Sequence, residues 1–186
     1  FKKLKKAYAK GVELRGKTIG IVGFGRIGRE TAKIALGIGM KVLAYDKFLK
    51  EASIILNFSH EKSVEFNIKI SKFNYLLENS DFISLHVPAQ KEFIIDKKQF
   101  ELMKDGVGII NAARGGVLNE VELISALDSG KVSFAGLDTF ENEPKPEIKL
   151  LMHPNISLTP HIGAATNEAQ DRIGKELADQ ISNILN

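Results

Sequence analysis

The sequence contains no cysteine and no long apolar run. The first absence excludes disulfides, thiol catalysis and thiolate metal sites. The second excludes a membrane-spanning helix, which needs about 20 consecutive apolar residues. The basic opening residues are not followed by the apolar stretch of a signal peptide. We therefore expect a cytoplasmic protein with no membrane partner.

The net charge of +3 and the isoelectric point of about 9.0 are produced by one end of the chain. Five lysines lie in residues 1–10, which hold no acidic residue, so the remainder is slightly acidic. Phe1, Leu4 and Tyr8 are spaced as on one side of a helix, which favours a short amphipathic helix with solvated lysines. We therefore expect no nucleic-acid partner.

The length of 186 residues suits one domain. From Lys17 onward, short apolar runs rich in β-branched residues alternate with stretches of helical spacing. Such alternation predicts an α/β fold with a doubly wound parallel sheet. Residues 1–16 are predicted to form a leading helix and linker, and residues 17–186 a dinucleotide-binding domain. Because the chain opens on Phe1 rather than methionine, we expect a fragment.

The first predicted helix has Ile27, Thr31, Ile34 and Ala35 on its predicted inner side. Residues 50–70 fit either a helix or a strand in their first part and a strand over 64–70. The predicted strands are 17–22, 41–45, 82–87, 107–111, 132–138 and 156–159, and the predicted helices are 26–36, 72–79, 97–103, 120–129 and 167–185.

A glycine motif of the form G-x-G-x-x-G follows the first predicted strand and opens the first predicted helix. Gly23 permits a tight turn, Gly25 lets a pyrophosphate approach the backbone, and Gly28 lets the helix pack closely on the strand. Phosphates are favoured at such a helix N-terminus. Glycines also make plain turns, but this strand–helix context favours a dinucleotide site.

Asp46 ends the second predicted strand, about 20 residues downstream of the glycine motif as dinucleotide sites require. A carboxylate there accepts hydrogen bonds from ribose hydroxyls and repels a 2′-phosphate. A plain turn residue is the alternative, and Lys47 would tolerate NADP. The combination with the glycine motif favours NAD as the cofactor.

Three polar stretches follow later predicted strands, at the edge where open α/β sheets bind ligands. Arg114 offers a fork of donors for a substrate carboxylate or keto oxygen. His161 can donate a proton to a carbonyl during reduction and remove it during oxidation. Glu143 would stabilise the protonated ring and fix its tautomer. Each residue alone is more simply a surface or turn residue, but together they favour hydride transfer at a carbonyl.

The motifs GFGRIG, NAARGG, LDTFENEP and TPHIGAAT occur in this order. In this order they resemble the NAD-binding domain of the D-isomer-specific 2-hydroxyacid dehydrogenases, and the resemblance runs from about Gly11 to the end of the chain. It implies a Rossmann-type domain, NAD, a small-molecule substrate and a homodimer. It also implies an N-terminal substrate domain, which is missing here, so we expect the chain alone to be inactive.

The resemblance also assigns roles to individual residues. It implies that Arg114, Glu143 and His161 form the catalytic trio. Asp138 is expected to contact the nicotinamide carboxamide, and His86, which ends a predicted strand, is a further candidate on the nicotinamide side. The other residues that the resemblance assigns to NAD are Arg26, Ile27, Asp46, Ala112 and the backbone near Gly163.

Other functions remain open at this point. The motifs are most similar to those of members that act on 3-phosphoglycerate, and hydroxypyruvate or glyoxylate reductases are the alternatives within the family. NAD-sensing transcriptional corepressors share the fold and can retain the trio, whereas the Arg–Glu–His order argues against an adenosylhomocysteine hydrolase. His60 and His153 are expected to be surface or capping residues. No histidine–carboxylate cluster has metal-site spacing, so we expect no metal.

Overall fold

The computed structural model describes residues 1, 2, 5, 11–58 and 62–185. Most of the predicted leading helix and His60 therefore lie outside the described residues, and the division at residue 16 stays a prediction. The strands are β1 (Thr18–Val22), β2 (Lys41–Tyr45), β3 (Glu51–Asn57), β4 (Ser63–Lys69), β5 (Phe82–Leu85), β6 (Val107–Asn111), β7 (Val132–Leu137) and β8 (Ile156–Leu158). The helices are α1 (Arg26–Gly37), α2 (Phe73–Asn79), α3 (Lys97–Leu102), α4 (Glu120–Asp128), α5 (Ile148–Leu151) and α6 (Asn167–Leu185).

The main sheet has the strand order β2-β1-β5-β6-β7-β8, and all neighbouring strands are parallel. This confirms the predicted doubly wound parallel sheet. The chain moves outward from β1 to β2 and later returns to β5 on the other side of β1. Ligands of open α/β sheets bind at such a switch point, at the carboxyl ends of the strands.

Two apolar clusters lie on opposite faces of this sheet, because successive residues of a strand point to opposite sides. Ile21 belongs to the cluster under α1 and β3, while its neighbour Val22 belongs to the cluster under the other helices. The same division separates Phe82 from Ile83 in β5. Both faces are therefore hydrophobic, as a sheet covered by helices requires.

The prediction for the inner side of α1 was wrong for Ile27 and Ile34, which are exposed. Ala35 is buried as predicted, and Gly28 and Ala32 face the sheet beside it. Small residues allow the helix to approach the strands closely, and a Cβ on Gly28 would lie only 2.1 Å from the Gly23 carbonyl oxygen. The side of α1 that faces the sheet is therefore decided by how closely the helix must approach β1, and not by where its large apolar side chains lie.

Residues 51–69 form an antiparallel hairpin of β3 and β4. Ala52 and Ile54 alternate with exposed residues and pack on the cluster under α1. Ile70 continues the hairpin into a parallel bridge with Ala44 at the end of β2. The first part of residues 50–70, which fitted either a helix or a strand, is therefore a strand, and its burial follows a two-residue periodicity.

Helix α6 forms where it was predicted but has no buried residue. Arg26 at the start of α1 makes an ion pair with Glu176 of α6, with a nitrogen–oxygen distance of 3.1 Å. The apolar residues Ile173, Leu177 and Ile181 remain exposed. No helix in the described ranges has both the length and the apolarity needed to cross a bilayer.

Leu123→Ala is expected to lower the free energy of unfolding by about 2–5 kcal/mol, because Leu123 of α4 is fully buried and the truncation leaves a cavity. Val121 lies on the same helix but is 68% exposed, so Val121→Ala should change that free energy by less than about 0.5 kcal/mol. Denaturant unfolding followed by circular dichroism measures both. Equal losses would contradict this packing of α4.

Candidate active site

The glycine turn between β1 and α1 is shaped by close backbone contacts. Gly23 has φ of 93°, and a Cβ there would lie 2.4 Å from the His86 carbonyl oxygen. A Cβ added at Gly25, by contrast, would have no neighbour within 4 Å among the described residues, apart from those adjacent in sequence. Gly25 also begins α1 without a side-chain cap. The turn therefore presents an open surface and an uncapped helix start, which suits the phosphates of a dinucleotide.

Asp46 holds this turn against the end of β2. Its Oδ2 accepts a hydrogen bond from the Phe24 amide at 2.9 Å, and its Oδ1 accepts from the amides of Phe48 and Leu49 at 2.9 and 3.3 Å. Burial acts to raise the pKa of Asp46, but these hydrogen bonds outweigh it and lower the pKa. The carboxylate is therefore charged, as ribose recognition needs. Its bracing of the glycine turn was missed by sequence reasoning.

A cavity of about 210 Å³ lies between the glycine turn and the ends of β5 and β6. His86 reaches it with its ring Nε2 2.9 Å from the Ser84 hydroxyl oxygen, and burial lowers the pKa of His86. A neutral ring there suits a site for an uncharged part of a ligand. The lining residues are Ile27, His86, Val87, Pro88, Ala112, Ala113 and Arg114.

The turn that carries Arg114 is held by Asn111, the last residue of β6. The buried Asn111 side chain donates to the Arg114 carbonyl at 3.0 Å and accepts from the Ala113 amide at 3.1 Å. The turn is thus fixed from within, and the Arg114 side chain is left exposed at the cavity. Sequence reasoning quoted this asparagine in a motif without giving it a role.

Asp138 holds the turn after β8. Its Oδ1 accepts from the Thr159 hydroxyl at 2.6 Å and the Ile162 amide at 2.8 Å, and its Oδ2 accepts from the Gly163 amide at 2.8 Å. Burial acts to raise the pKa of Asp138, but these hydrogen bonds lower it. The bond with the Gly163 amide brings together two residues that the sequence predicts to bind the cofactor, Asp138 and Gly163. Contact of Asp138 with a nicotinamide carboxamide stays a prediction.

His161 lies within the turn that Asp138 holds, and its φ of 56° falls in the left-handed region that non-glycine residues rarely adopt. The ring Nδ1 is 2.8 Å from Glu143 Oε2, while Glu143 Oε1 accepts from the Phe140 amide at 2.9 Å. The hydrogen bond with His161 and that from Phe140 lower the pKa of Glu143. An ionised carboxylate only accepts, so Nδ1 carries the proton, and Nε2 has no hydrogen-bond partner among the described residues.

The predicted catalytic trio is divided between two cavities. Glu143 and His161 line a cavity of about 390 Å³ with Phe140, Leu158 and Pro160. Arg114 lines the smaller cavity, and in the part of the chain that the structure describes its side chain bonds to the Ala113 carbonyl rather than to Glu143 or His161. Their strands are neighbours or next neighbours in the sheet, so both cavities open near one edge.

His153, predicted to be a surface or capping residue, lies in the turn between α5 and β8. Its Nδ1 accepts from the Asn155 amide at 3.2 Å, and its Nε2 is 3.4 Å from Asp128. Across the described ranges, no group of three or more histidine, aspartate or glutamate side chains is arranged to hold a metal ion.

Comparisons with known proteins give one consistent family. Residues 2–163 match the family model described as D-isomer specific 2-hydroxyacid dehydrogenase, NAD binding domain. The chain is 46% identical over 177 residues to D-3-phosphoglycerate dehydrogenase of Archaeoglobus fulgidus, covering 94% of the chain and 32% of the relative. It is 45% identical over 184 residues to hydroxypyruvate reductase of Thermotoga maritima, covering 96% and 56%.

A solved structure agrees with these sequence relatives. The glyoxylate reductase from Paecilomyes thermophila superposes with a TM-score of 0.76 at 39% identity, covering 88% of this chain and 48% of that one. The chain therefore spans between about a third and somewhat more than half of the proteins that it matches here. The whole of each relative includes a second region that this sequence does not cover.

We expect the chain to bind NAD more tightly than NADP, and Asp46→Asn to narrow that difference. Asparagine keeps one acceptor oxygen for the turn after β2 but loses the charge that repels a 2′-phosphate. Calorimetric titration with both cofactors measures the affinities. Asp171→Asn on α6 is the matched control, and equal affinity of the unsubstituted chain for the two cofactors would contradict the role of Asp46.

Proposed function

Because the chain belongs to the family of D-isomer specific 2-hydroxyacid dehydrogenases, as their NAD-binding domain, we propose that it serves hydride transfer between NAD and a D-2-hydroxyacid or its 2-keto acid. The observation that carries this proposal is the His161–Glu143 pair, 2.8 Å apart at the edge of the sheet that also bears the glycine turn. A histidine oriented by a carboxylate is the arrangement that proton transfer at a carbonyl needs.

The glycine turn fits the cofactor, since Gly25 leaves open space beside an uncapped helix start. When bound, NAD supplies or accepts the hydride. The turn amides of Arg26 and Ile27 would hold the pyrophosphate, and Asp46 the ribose. The nicotinamide side of the cofactor would be contacted by Ala112, Asp138, Gly163 and His86.

The remaining chemistry belongs to side chains of this domain. Arg114 binds the substrate carboxylate through paired N–H donors, which fixes the orientation of the adjacent carbonyl. In reduction, His161 donates its Nε2 proton to the carbonyl oxygen, and in oxidation it takes the hydroxyl proton back. Glu143 stabilises the protonated ring in both directions, since its own low pKa keeps it charged.

The substrate that we propose first is 3-phosphoglycerate, which would make this domain part of a D-3-phosphoglycerate dehydrogenase at the entry to serine synthesis. The support is the Archaeoglobus relative at 46% identity. The hydroxypyruvate reductase at 45% identity supports a second candidate almost equally. A substrate panel including 3-phosphoglycerate, hydroxypyruvate and glyoxylate separates them.

A second domain would complete the site. Hydride transfer needs a substrate held in a near-attack pose, worth on the order of 7–11 kcal/mol of barrier in well-oriented cases, and exclusion of water. In the described chain the two cavities are open to solvent, and α6 exposes the apolar residues Ile173, Leu177 and Ile181. We propose that an N-terminal substrate domain packs over the two cavities, and that the chain alone turns over no substrate.

In a two-domain protein made by adding the substrate domain of a relative, His161→Ala is expected to lower kcat by about 10²–10⁴-fold, because the proton transfer is lost. Arg114→Ala should weaken substrate use more than NAD binding. Steady-state kinetics with NAD and the substrate panel measures both. His153→Ala, which removes a histidine that contacts Asn155 and Asp128 and lines neither cavity, is the matched control.

Full activity of the His161→Ala protein would overturn the proposed mechanism. NAD binding without turnover of any 2-hydroxyacid by the two-domain protein would instead favour an NAD-sensing role. Brisk turnover by the present chain alone would contradict the need for a second domain.

We also propose that the chain forms a homodimer through the outer side of α1. Ile34 and Ile38 are exposed there, with 68% and 44% of their surfaces accessible. Analytical ultracentrifugation should show a dimer at high micromolar concentration, and Ile34→Lys should give a monomer. Val121→Lys on α4 is the control. A monomeric unsubstituted chain would remove the proposal.

A further inference from the structure

Glu120, the first residue of α4, is a buried acid that the proposed mechanism does not use, with only 5% of its surface exposed. We propose that Glu120 is a positioning residue, which sets the place of Glu143 beside His161 by clamping the segment 140–143 to the start of α4. This inference rests on the proposed roles of Glu143 and His161.

The clamp consists of two reciprocal hydrogen bonds between Glu120 and Glu141. Glu120 Oε1 accepts from the Glu141 amide at 2.7 Å, and Glu141 Oε1 accepts from the Glu120 amide at 2.7 Å. Each carboxylate thus satisfies the backbone N–H of the other residue, and both bonds span 21 positions in the sequence. Such a pair fixes the distance between two backbone segments rather than the orientation of one side chain.

The clamped segment leads directly to the proposed catalytic pair. Phe140 precedes Glu141, and its amide donates to Glu143 Oε1 at 2.9 Å. The Phe140 carbonyl also lies against Gly115 in the Arg114 turn, where a Cβ would meet that oxygen at only 1.9 Å. The segment is therefore held between α4 on one side and the Arg114 turn on the other. Movement of Glu141 would move the amide that orients Glu143.

A simple helix-terminal role does not account for Glu120. A carboxylate in the first turn interacts favourably with the helix dipole when exposed, and Glu122 already supplies one. Glu120 is instead buried beside Glu141, Glu143 and Glu147. Burial raises the pKa of Glu120, and the three neighbouring carboxylates raise it further. The hydrogen bond from the Glu141 amide lowers this pKa but does not outweigh those effects. The Oε2 atom of Glu120 is buried without a hydrogen-bond partner among the described residues. The hydrogen bonds with Glu141 give a reason for this unfavourable placement of Glu120.

The test measures the titration of the Glu143 carboxyl carbon by NMR in the 186-residue chain labelled with ¹³C-glutamate, so it needs no turnover. Loss of the clamp in Glu120→Ala should weaken the bonds that Glu143 accepts, and so raise the Glu143 pKa by about 0.5–1 pH unit. Removal of a nearby negative charge alone would lower that pKa. The two explanations therefore predict opposite signs.

Glu120→Gln is the rescue variant, because its amide oxygen can still accept from the Glu141 amide. It should leave the Glu143 pKa at or slightly below its value in the unsubstituted chain. Glu122→Ala, on the same turn of α4 and without a hydrogen bond to Glu141 among the described residues, is the control and should have no effect. If Glu120→Ala fails to fold, Glu120→Asp replaces it, since the shorter side chain keeps the charge but cannot span the same distance.

An unchanged or lowered Glu143 pKa in the folded Glu120→Ala chain would overturn the proposal, as would equal increases in the alanine and glutamine variants. In the two-domain protein, Glu120→Ala should lower kcat more than it raises KM, and Glu120→Gln should restore kcat. Failure of that protein to turn over any substrate would count against the proposed function. The NMR result would still stand as evidence for the clamp.

Discussion

The carboxylate of Asp138 accepts three hydrogen bonds from the turn that follows β8, and the placement of His161 depends on them. Asp46 and Asn111 act in the same way at the ends of β2 and β6. At the carboxyl edge of a parallel sheet, turn amides have no further strand to pair with, so they need other acceptors. Polar strand-end side chains supply them, and this holds the ligand-binding edge in shape.

This arrangement explains why residues with proposed chemical roles and residues with structural roles are interleaved in the same motifs. In the motif NAARGG, Asn111 shapes the turn that presents Arg114. In LDTFENEP, Asp138 holds the His161 turn, Glu141 is clamped to Glu120, and Glu143 contacts the ring. A motif of this kind therefore encodes the geometry of a site together with its reactive groups.

The parallel sheet and the glycine turn could be predicted because each depends on local patterns: β-branched runs, helical spacing, and glycines between a strand and a helix. The exposure of Ile34 could not, since it depends on how closely α1 approaches β1. The hairpin of β3 and β4 was ambiguous because short apolar runs fit either structure. Glu120 gave no signal at all, because its partner lies 21 positions away. Long-range hydrogen bonds of this kind are invisible in a single sequence.

The left-handed backbone conformation at His161 has a consequence for the stability of the fold. A branched or ring-bearing residue in that conformation costs on the order of 1–3 kcal/mol, whereas glycine adopts it freely. The hydrogen bonds that Asp138 accepts from the amides of Ile162 and Gly163 hold this strained residue in place. These hydrogen bonds therefore offset the cost of the backbone conformation that keeps the His161 ring beside Glu143.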